Sequence, residues 1–195
     1  EECYKRMTSV LQNIENYDYE IICINDGSRD KTLSILENLA IRDKKLKVLS
    51  FSRNFGHQCA VTAGLKYVTG DAIVIIDADL QDPPELLEAM YKGITEEGYD
   101  CVATKSTSRN GYSPLRKLFT KWFYDIIGHI SKTEMVAGAR DYRLMTRQMV
   151  DAILSLKEYN RYSKGLFSFV GFDTKWIEYE NVERVAGETK WSFWK

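Results

Sequence analysis

Long hydrophobic runs are missing from this 195-residue chain, whose longest unbroken apolar stretch is "AIVII" (72–76). A membrane-spanning helix needs roughly 18 such residues, so neither a span nor a secretory leader is legible. Paired cysteines are missing too. Cys3, Cys23, Cys59 and Cys101 stand far apart without CxxC spacing, which argues for buried reduced thiols in a reducing compartment rather than zinc or disulfides. An excess of one charge is also absent: the formal net charge is −1, and bulk electrostatics excludes a nucleic-acid partner. No internal repeat or low-complexity linker appears, so one domain over 1–195 is expected.

The charge is nevertheless unevenly placed. Between Cys101 and Tyr124 there is no Asp or Glu, whereas Lys105, Arg109, Arg116, Lys117 and Lys121 all fall there. Within that stretch begins "SPLRKLFTKWFYDIIGHI" (113–130), a helical pattern with an apolar stripe. Such a stripe is usually core packing. Its basic flank also suits an interfacial helix lying on a bilayer.

What is present in quantity is alternation. Strand-like runs (19–24, 46–51, 72–77, 100–106) are interleaved with helical spacing at 31–43, 57–68 and 83–98. Ser28 or Asp30 could cap the first of these helices, and proline opens the last. The order βαβαβαβ predicts an α/β layer with a mostly parallel sheet. In the second half, strands are expected at 141–145 and 173–179, with a helix at 147–156. The chain opens on a helical pattern, "EECYKRMTSVLQNI", whereas an open parallel sheet normally starts with a strand; a strand upstream of Glu1 is expected.

Chemistry gathers at strand ends, where open α/β sheets bind ligands. "NDGS" (25–28) follows the first strand and "DADLQD" (77–82) the third, so Asp26, Asp77 and Asp79 are expected to share a crevice. Asp77 and Asp79, two apart where a strand breaks into loop, can aim two carboxylates at a hard cation, with Gln81 adding a carbonyl oxygen. Magnesium or manganese held this way completes its shell with substrate phosphates. An EF-hand loop fails, because Asp82 stands where glycine is needed. An aspartyl-phosphatase reading remains a rival, weakened by Gln81 where that pattern has Thr or Val. "NDGS" alone is compatible with a plain turn and helix cap. His57 and His129 stand isolated and are expected to be structural, with His57, beside Gly56, the better functional candidate.

"NDGSRDKT", "SRNFGHQCAVTAGL", "DADLQDPPE", "GARDYRLM" and "RVAGETKW", in this order, resemble family 2 glycosyltransferases of GT-A fold. They are most similar to the polyisoprenyl-phosphate branch, of the dolichol-phosphate mannose synthase and bactoprenol glucosyltransferase type. The resemblance implies a Rossmann-like sheet flanked by helices, its first strand lying before Glu1. It implies a nucleotide-sugar half (1–106) and an acceptor half (107–195). It places Asp26, with Gly27 and Ser28, on the nucleoside of a UDP- or GDP-sugar, and Arg53, Asn54 and Gly56 on the nucleotide side. Asp77 and Asp79 become the DxD pair, with Asp79 the firmer metal ligand, Gln81 a helper, and Mg2+ or Mn2+ the cofactor. Asp141 is matched to an acidic position near the acceptor and the anomeric carbon. Arg161 and Arg184 would hold phosphate, with Lys190 a weaker candidate. The expected acceptor is a polyisoprenyl phosphate on the cytoplasmic side of the membrane. The basic-aromatic ending "KWSFWK" looks like the approach to that surface.

Overall fold

Strands and helices alternate through the first hundred residues as the periodicity requires, and the computed structural model describes residues 1–14, 17–107, 136, 138–156 and 163–180. Helix α1 (Glu2–Asn13) is followed by β1 (Ile21–Asn25), α2 (Thr32–Arg42), β2 (Leu46–Ser50), α3 (His57–Tyr67) and β3 (Ala72–Ile75). A 3-10 turn (Pro84–Leu86) leads into α4 (Leu87–Thr95), then come β4 (Cys101–Ser106) and β5 (Ala139–Thr146). Helices α5 (Arg147–Ser155) and α6 (Ser163–Phe169) and strand β6 (Thr174–Tyr179) complete the described elements. Helix α6 was not foreseen. The 113–130 pattern, His129 and "KWSFWK" lie outside the described residues.

The expected α/β sheet flanked by helices is present, with parallel and antiparallel pairings together. Among the described residues, strand β1 pairs with β2 alone, in parallel. A separate ladder runs β3-β5-β4-β6, in which β5 is antiparallel to both β3 and β4, and β4 is parallel to β6. The reason is tertiary: β5, from the second half of the chain, inserts between two strands of the first half. A strand is built by local propensity, but its neighbours are chosen by fit.

The four-stranded ladder is covered on both faces, and strand alternation sorts its side chains. Cys101, Ala103 and Met145 join Leu65 of α3, Met149, Val150 and Ile153 of α5 and Phe167 of α6 in one core. Val102, Tyr142 and Leu144 point the other way, to Met7 of α1 and Leu87 and Met90 of α4. Double coverage explains why "AIVIID" is continuously apolar instead of alternating. Each fully buried Val, Leu, Ile, Met or Phe side chain in these cores contributes about 1.5–3 kcal/mol.

All four cysteines are free. Cys101 is fully buried, and burial pushes its thiol up; burial likewise takes Cys23 up to about 11, while Cys59 is exposed. Helix α2 has no side-chain cap of its own, but Asp30 Oδ1 accepts the Thr32 N–H at 3.0 Å. Among the described residues, no helix is long and apolar enough to cross a membrane.

Candidate active site

Strand β1 ends on Asn25, which is buried and pinned by its amide. Asn25 Nδ2 donates to Ser50 Oγ at 3.0 Å, and its Oδ1 accepts the Ser28 N–H at 3.2 Å. The turn brings Gly27 against the backbone of the β2–α3 loop. A Cβ on Gly27 would lie 2.3 Å from the Arg53 carbonyl carbon, and φ is +64°. Only glycine fits this approach. The adjacent Asp26 then clasps the same loop. Its Oδ1 accepts the Phe55 N–H at 2.7 Å and its Oδ2 the Gly56 N–H at 3.0 Å, while Asn54 Nδ2 donates to its carbonyl at 3.3 Å. Arg53 stacks on the exposed Phe55 ring at 4.6 Å. "NDGS" (25–28) and "SRNFG" (52–56), which begin 27 positions apart in sequence, thus form one unit.

The second unit follows β3. Asp77 and Asp79 are half-buried, and Asp79 Oδ1 accepts the Gln81 N–H at 3.1 Å. Between them and the prolines, Leu80 adopts φ +61° with its side chain buried. A bulky residue in the left-handed region is an outlier that the surroundings must enforce. Enforcement comes from Asp82, 1% exposed, whose Oδ1 accepts from Arg140 Nε at 3.2 Å and from the Tyr179 hydroxyl. One residue on, the Pro83 carbonyl accepts the Tyr142 hydroxyl at 3.0 Å. At the loop's far end Arg6 grips Glu85 through two bonds of 2.8 Å.

Strand β5 connects the two units. Arg140 and Tyr142 face the acidic loop. The odd positions face the opposite way: Asp141 Oδ2 lies 3.0 Å from His57 Nε2, the first residue of α3. Arg143, 3% exposed, stacks on Phe167 at 3.7 Å and donates to the carbonyls of Arg140 (2.8 Å) and Asp141 (3.4 Å). Burial holds its guanidinium below the ordinary arginine value.

The carboxylates feel one another. Burial raises Asp77 above the ordinary range, His57 works against that rise, and Asp82, Asp79 and Asp141 add to it. Four acids therefore share one electrostatic neighbourhood. Among the described residues no three His, Cys, Asp or Glu side chains converge as a preformed metal cage. The donor set still fits a hard cation that keeps several ligands from a phosphate-bearing substrate. A divalent charge beside Asp77 and Asp79 would offset the burial and, after it, the carboxylate repulsion that raise Asp77.

Of the residues singled out in the sequence, Asp26, Gly27, Ser28, Arg53, Asn54 and Gly56 come together in the first unit. Asp77, Asp79 and Gln81 come together in the second, with Asp141 beside both. Arg161, Arg184 and Lys190 lie outside the described residues. The expectation that His57 is isolated is corrected, since it meets Asp141 across 84 positions. Asp82, Arg140, Tyr142 and Tyr179 were not foreseen. The strand alternation of "GARDYRLM" held a signal for Arg140 and Tyr142, because it puts them on one face and Asp141 on the other.

Comparison with known proteins bears on the fold and the family. The model of the family described as "Glycosyl transferase family 2" matches residues 3–154. A Bacillus subtilis (strain 168) protein named as a glycosyltransferase, CsbB, is 48% identical over 190 residues, covering 97% of this chain and 57% of that protein. The prophage bactoprenol glucosyl transferase homolog of Escherichia coli (strain K12) is 41% identical over 185 residues, covering 95% of this chain and 60% of that protein. This chain thus spans somewhat under two thirds of these relatives' length. Among solved structures, the mannosyltransferase PcManGT from Pyrobaculum calidifontis, in complex with GDP-Man and Mn2+, superposes with a TM-score of 0.57 at 18% identity. That superposition covers 93% of this chain and 54% of that one, and it supports a GT-A-like fold.

Proposed function

The chain belongs to glycosyl transferase family 2, and from that premise we propose that it is a metal-dependent, inverting hexosyltransferase. It takes the sugar from a nucleoside-diphosphate sugar, UDP-linked by preference, and delivers it to a polyisoprenyl phosphate at the cytoplasmic face of a membrane. The observation that carries the reading is the acidic neighbourhood of Asp77, Asp79, Asp82 and Asp141, in which Asp77 is held up by burial and by its neighbours. Such a cluster is costly unless a cation and an anionic ligand complete it.

Asp79 and Asp77, helped by Gln81, would hold Mg2+ or Mn2+. The ion, when bound, supplies Lewis acidity and a template for the diphosphate. The loop clasped by Asp26, with Gly27, Ser28, Arg53, Asn54 and Gly56, frames the nucleotide side. Asp141 faces the reacting centre from β5. The acceptor oxygen bonds to the anomeric carbon as the bond to the diphosphate breaks, and the configuration inverts. A lipid phosphate is already ionised near neutral pH, so Asp141 orients the acceptor instead of removing a proton. A saccharide hydroxyl would need Asp141 as a general base. Arg161 and Arg184, and Lys190 as a weaker candidate, would supply the phosphate clamps.

The lipid-phosphate acceptor is supported by the name of the E. coli relative, a bactoprenol glucosyl transferase homolog. The phosphatase reading loses ground because the family match spans "DADLQD". Calorimetric titration of UDP, with and without manganese, tests the proposal. Manganese-dependent binding that disappears in Asp79→Asn is expected. Binding indifferent to both the metal and Asp79 would refute it.

A further inference from the structure

Phe55 is a large apolar residue left 46% exposed, and it stands inside the loop that Asp26 clasps. Its backbone has no freedom to match that exposure. The Phe55 N–H is bonded to Asp26 Oδ1, the next N–H to Asp26 Oδ2, and Gly27 packs against the Arg53 backbone. The ring is braced as well. Phe51, one residue past β2, meets it at 89° with centroids 5.6 Å apart, and the Arg53 guanidinium lies 4.6 Å from its centroid. Single exposed apolar residues need no explanation as a rule. This one differs because it is held rigid and carries a cation. Among the described residues, Arg53 is paired with this ring and with no carboxylate. The result is a flat, pre-formed surface of ring and guanidinium at the carboxyl ends of β1 and β2.

Resting on the nucleotide-sugar reading above, we infer that the Arg53–Phe55 stack is the platform on which the donor's nucleobase lies. Ligands of open α/β sheets bind across the carboxyl ends of the strands. With the diphosphate at Asp77 and Asp79 after β3, the clasped loop beyond β1 and β2 is where the nucleoside end reaches. A nucleobase is a flat π system with polar edges, and it gains from stacking on an aromatic ring or a guanidinium plane. The apolar tail of a lipid would gain nothing there, because covering Arg53 takes water from a charge without replacing it. Stacking is indifferent to the edge a base presents. The platform therefore supplies affinity to uracil and guanine alike, and the choice between them falls to groups that meet the base edge.

The test titrates UDP and GDP, each with manganese, into the full chain as wild type, Phe55→Ala and Phe55→Trp. Both substitutions keep the backbone N–H that binds Asp26. In Phe55→Ala the Kd of whichever nucleotide the wild type binds should rise about tenfold, with the Tm of the ligand-free protein unchanged. Phe55→Trp keeps a planar ring and should hold that Kd within about threefold of wild type. Inorganic pyrophosphate with manganese carries no base and should behave alike toward wild type and Phe55→Ala. A wild-type nucleotide Kd in Phe55→Ala overturns the inference. So does a pyrophosphate affinity that falls along with the nucleotide's, which makes the ring a brace for a phosphate-binding Arg53. An equal loss in both variants with a lowered Tm also overturns it, since that marks a ring that only packs the loop. A wild type that binds neither nucleotide takes down the functional reading and the inference together, whereas nucleotide binding untouched by Phe55→Ala takes down the inference alone.

Discussion

Arg140 and Asp82 stand 58 positions apart and meet at 3.2 Å, with the carboxylate nearly closed off from solvent. The pair fixes the loop that carries Asp77 and Asp79 onto the strand that carries Asp141. Asp82→Ala leaves Arg140 and the Tyr179 hydroxyl facing an empty site. Breaking a buried pair from one side costs about 3 kcal/mol, and chemical denaturation of the ligand-free protein should show a loss of that size. Asp82→Asn keeps the shape without the charge and should lose less. Both variants should weaken manganese-dependent UDP binding, since the Leu80 turn then lacks its restraint.

Gly27 admits no side chain. Alanine there would place its Cβ 2.3 Å from the Arg53 carbonyl carbon, a backbone atom that cannot swing away, at φ +64°. Gly27→Ala is expected to destabilise by about 2 kcal/mol or more. The Asp26 bonds to Phe55 and Gly56 should open with it. Amide exchange at those two positions reports this: wild-type protection in the variant would show that the close approach is not a constraint.

Glu20 binds the sheet from its β1 edge. Burial alone would raise its carboxyl, but bonds from Lys47 and from the Thr69 N–H and hydroxyl overcome that and hold it at about 2. A depressed carboxylate contributes stability that is present above the unfolded value, about 4.3, and is lost as pH falls through the folded one. Stability should therefore decline between about pH 4.5 and pH 2. Glu20→Gln should flatten that part of the profile and cost about 1–2 kcal/mol at pH 7, discounted for the exposed Lys47. Equilibrium unfolding across this pH range measures both. An unchanged acid slope would contradict the assignment.

Arg143 couples β5 to α6 through its stack on Phe167 at 3.7 Å and its bond to the Arg140 carbonyl. Lysine cannot stack as a plane and reach two carbonyls together. Arg143→Lys should lower stability by about 1–2 kcal/mol. Because the Asp141 carbonyl is one of those acceptors, transferase activity should fall as well. A thermal melt alongside a transfer assay would show whether the two effects travel together.

Most element positions were legible in the sequence because they rest on local rules. Continuous apolar runs bounded by turn residues marked β1, β2, β3 and β4, and helical spacing marked α2, α3 and α4, with ends displaced by a residue or two. Helix α4 was the larger miss. Its first turn is 3-10 at Pro84–Leu86, and it stops at Thr95. The acids at strand ends were equally legible, since a strand running into carboxylates is an anomaly within a few residues.

Long-range partners were not legible, because nothing in a one-dimensional pattern says which strand lies beside which. The alternation of "GARDYRLM" sorts its side chains onto two faces, but only the antiparallel insertion of β5 between β3 and β4 puts Arg140 at Asp82 and Asp141 at His57. By itself the sequence determined the local elements, the carboxylate motifs and the family, all of which depend on residues near one another in the chain. The tertiary structure alone decided the sheet order, the role of Asp82 as an anchor and the partner of His57. Those depend on packing choices between segments dozens of residues apart, made by the fit of whole faces.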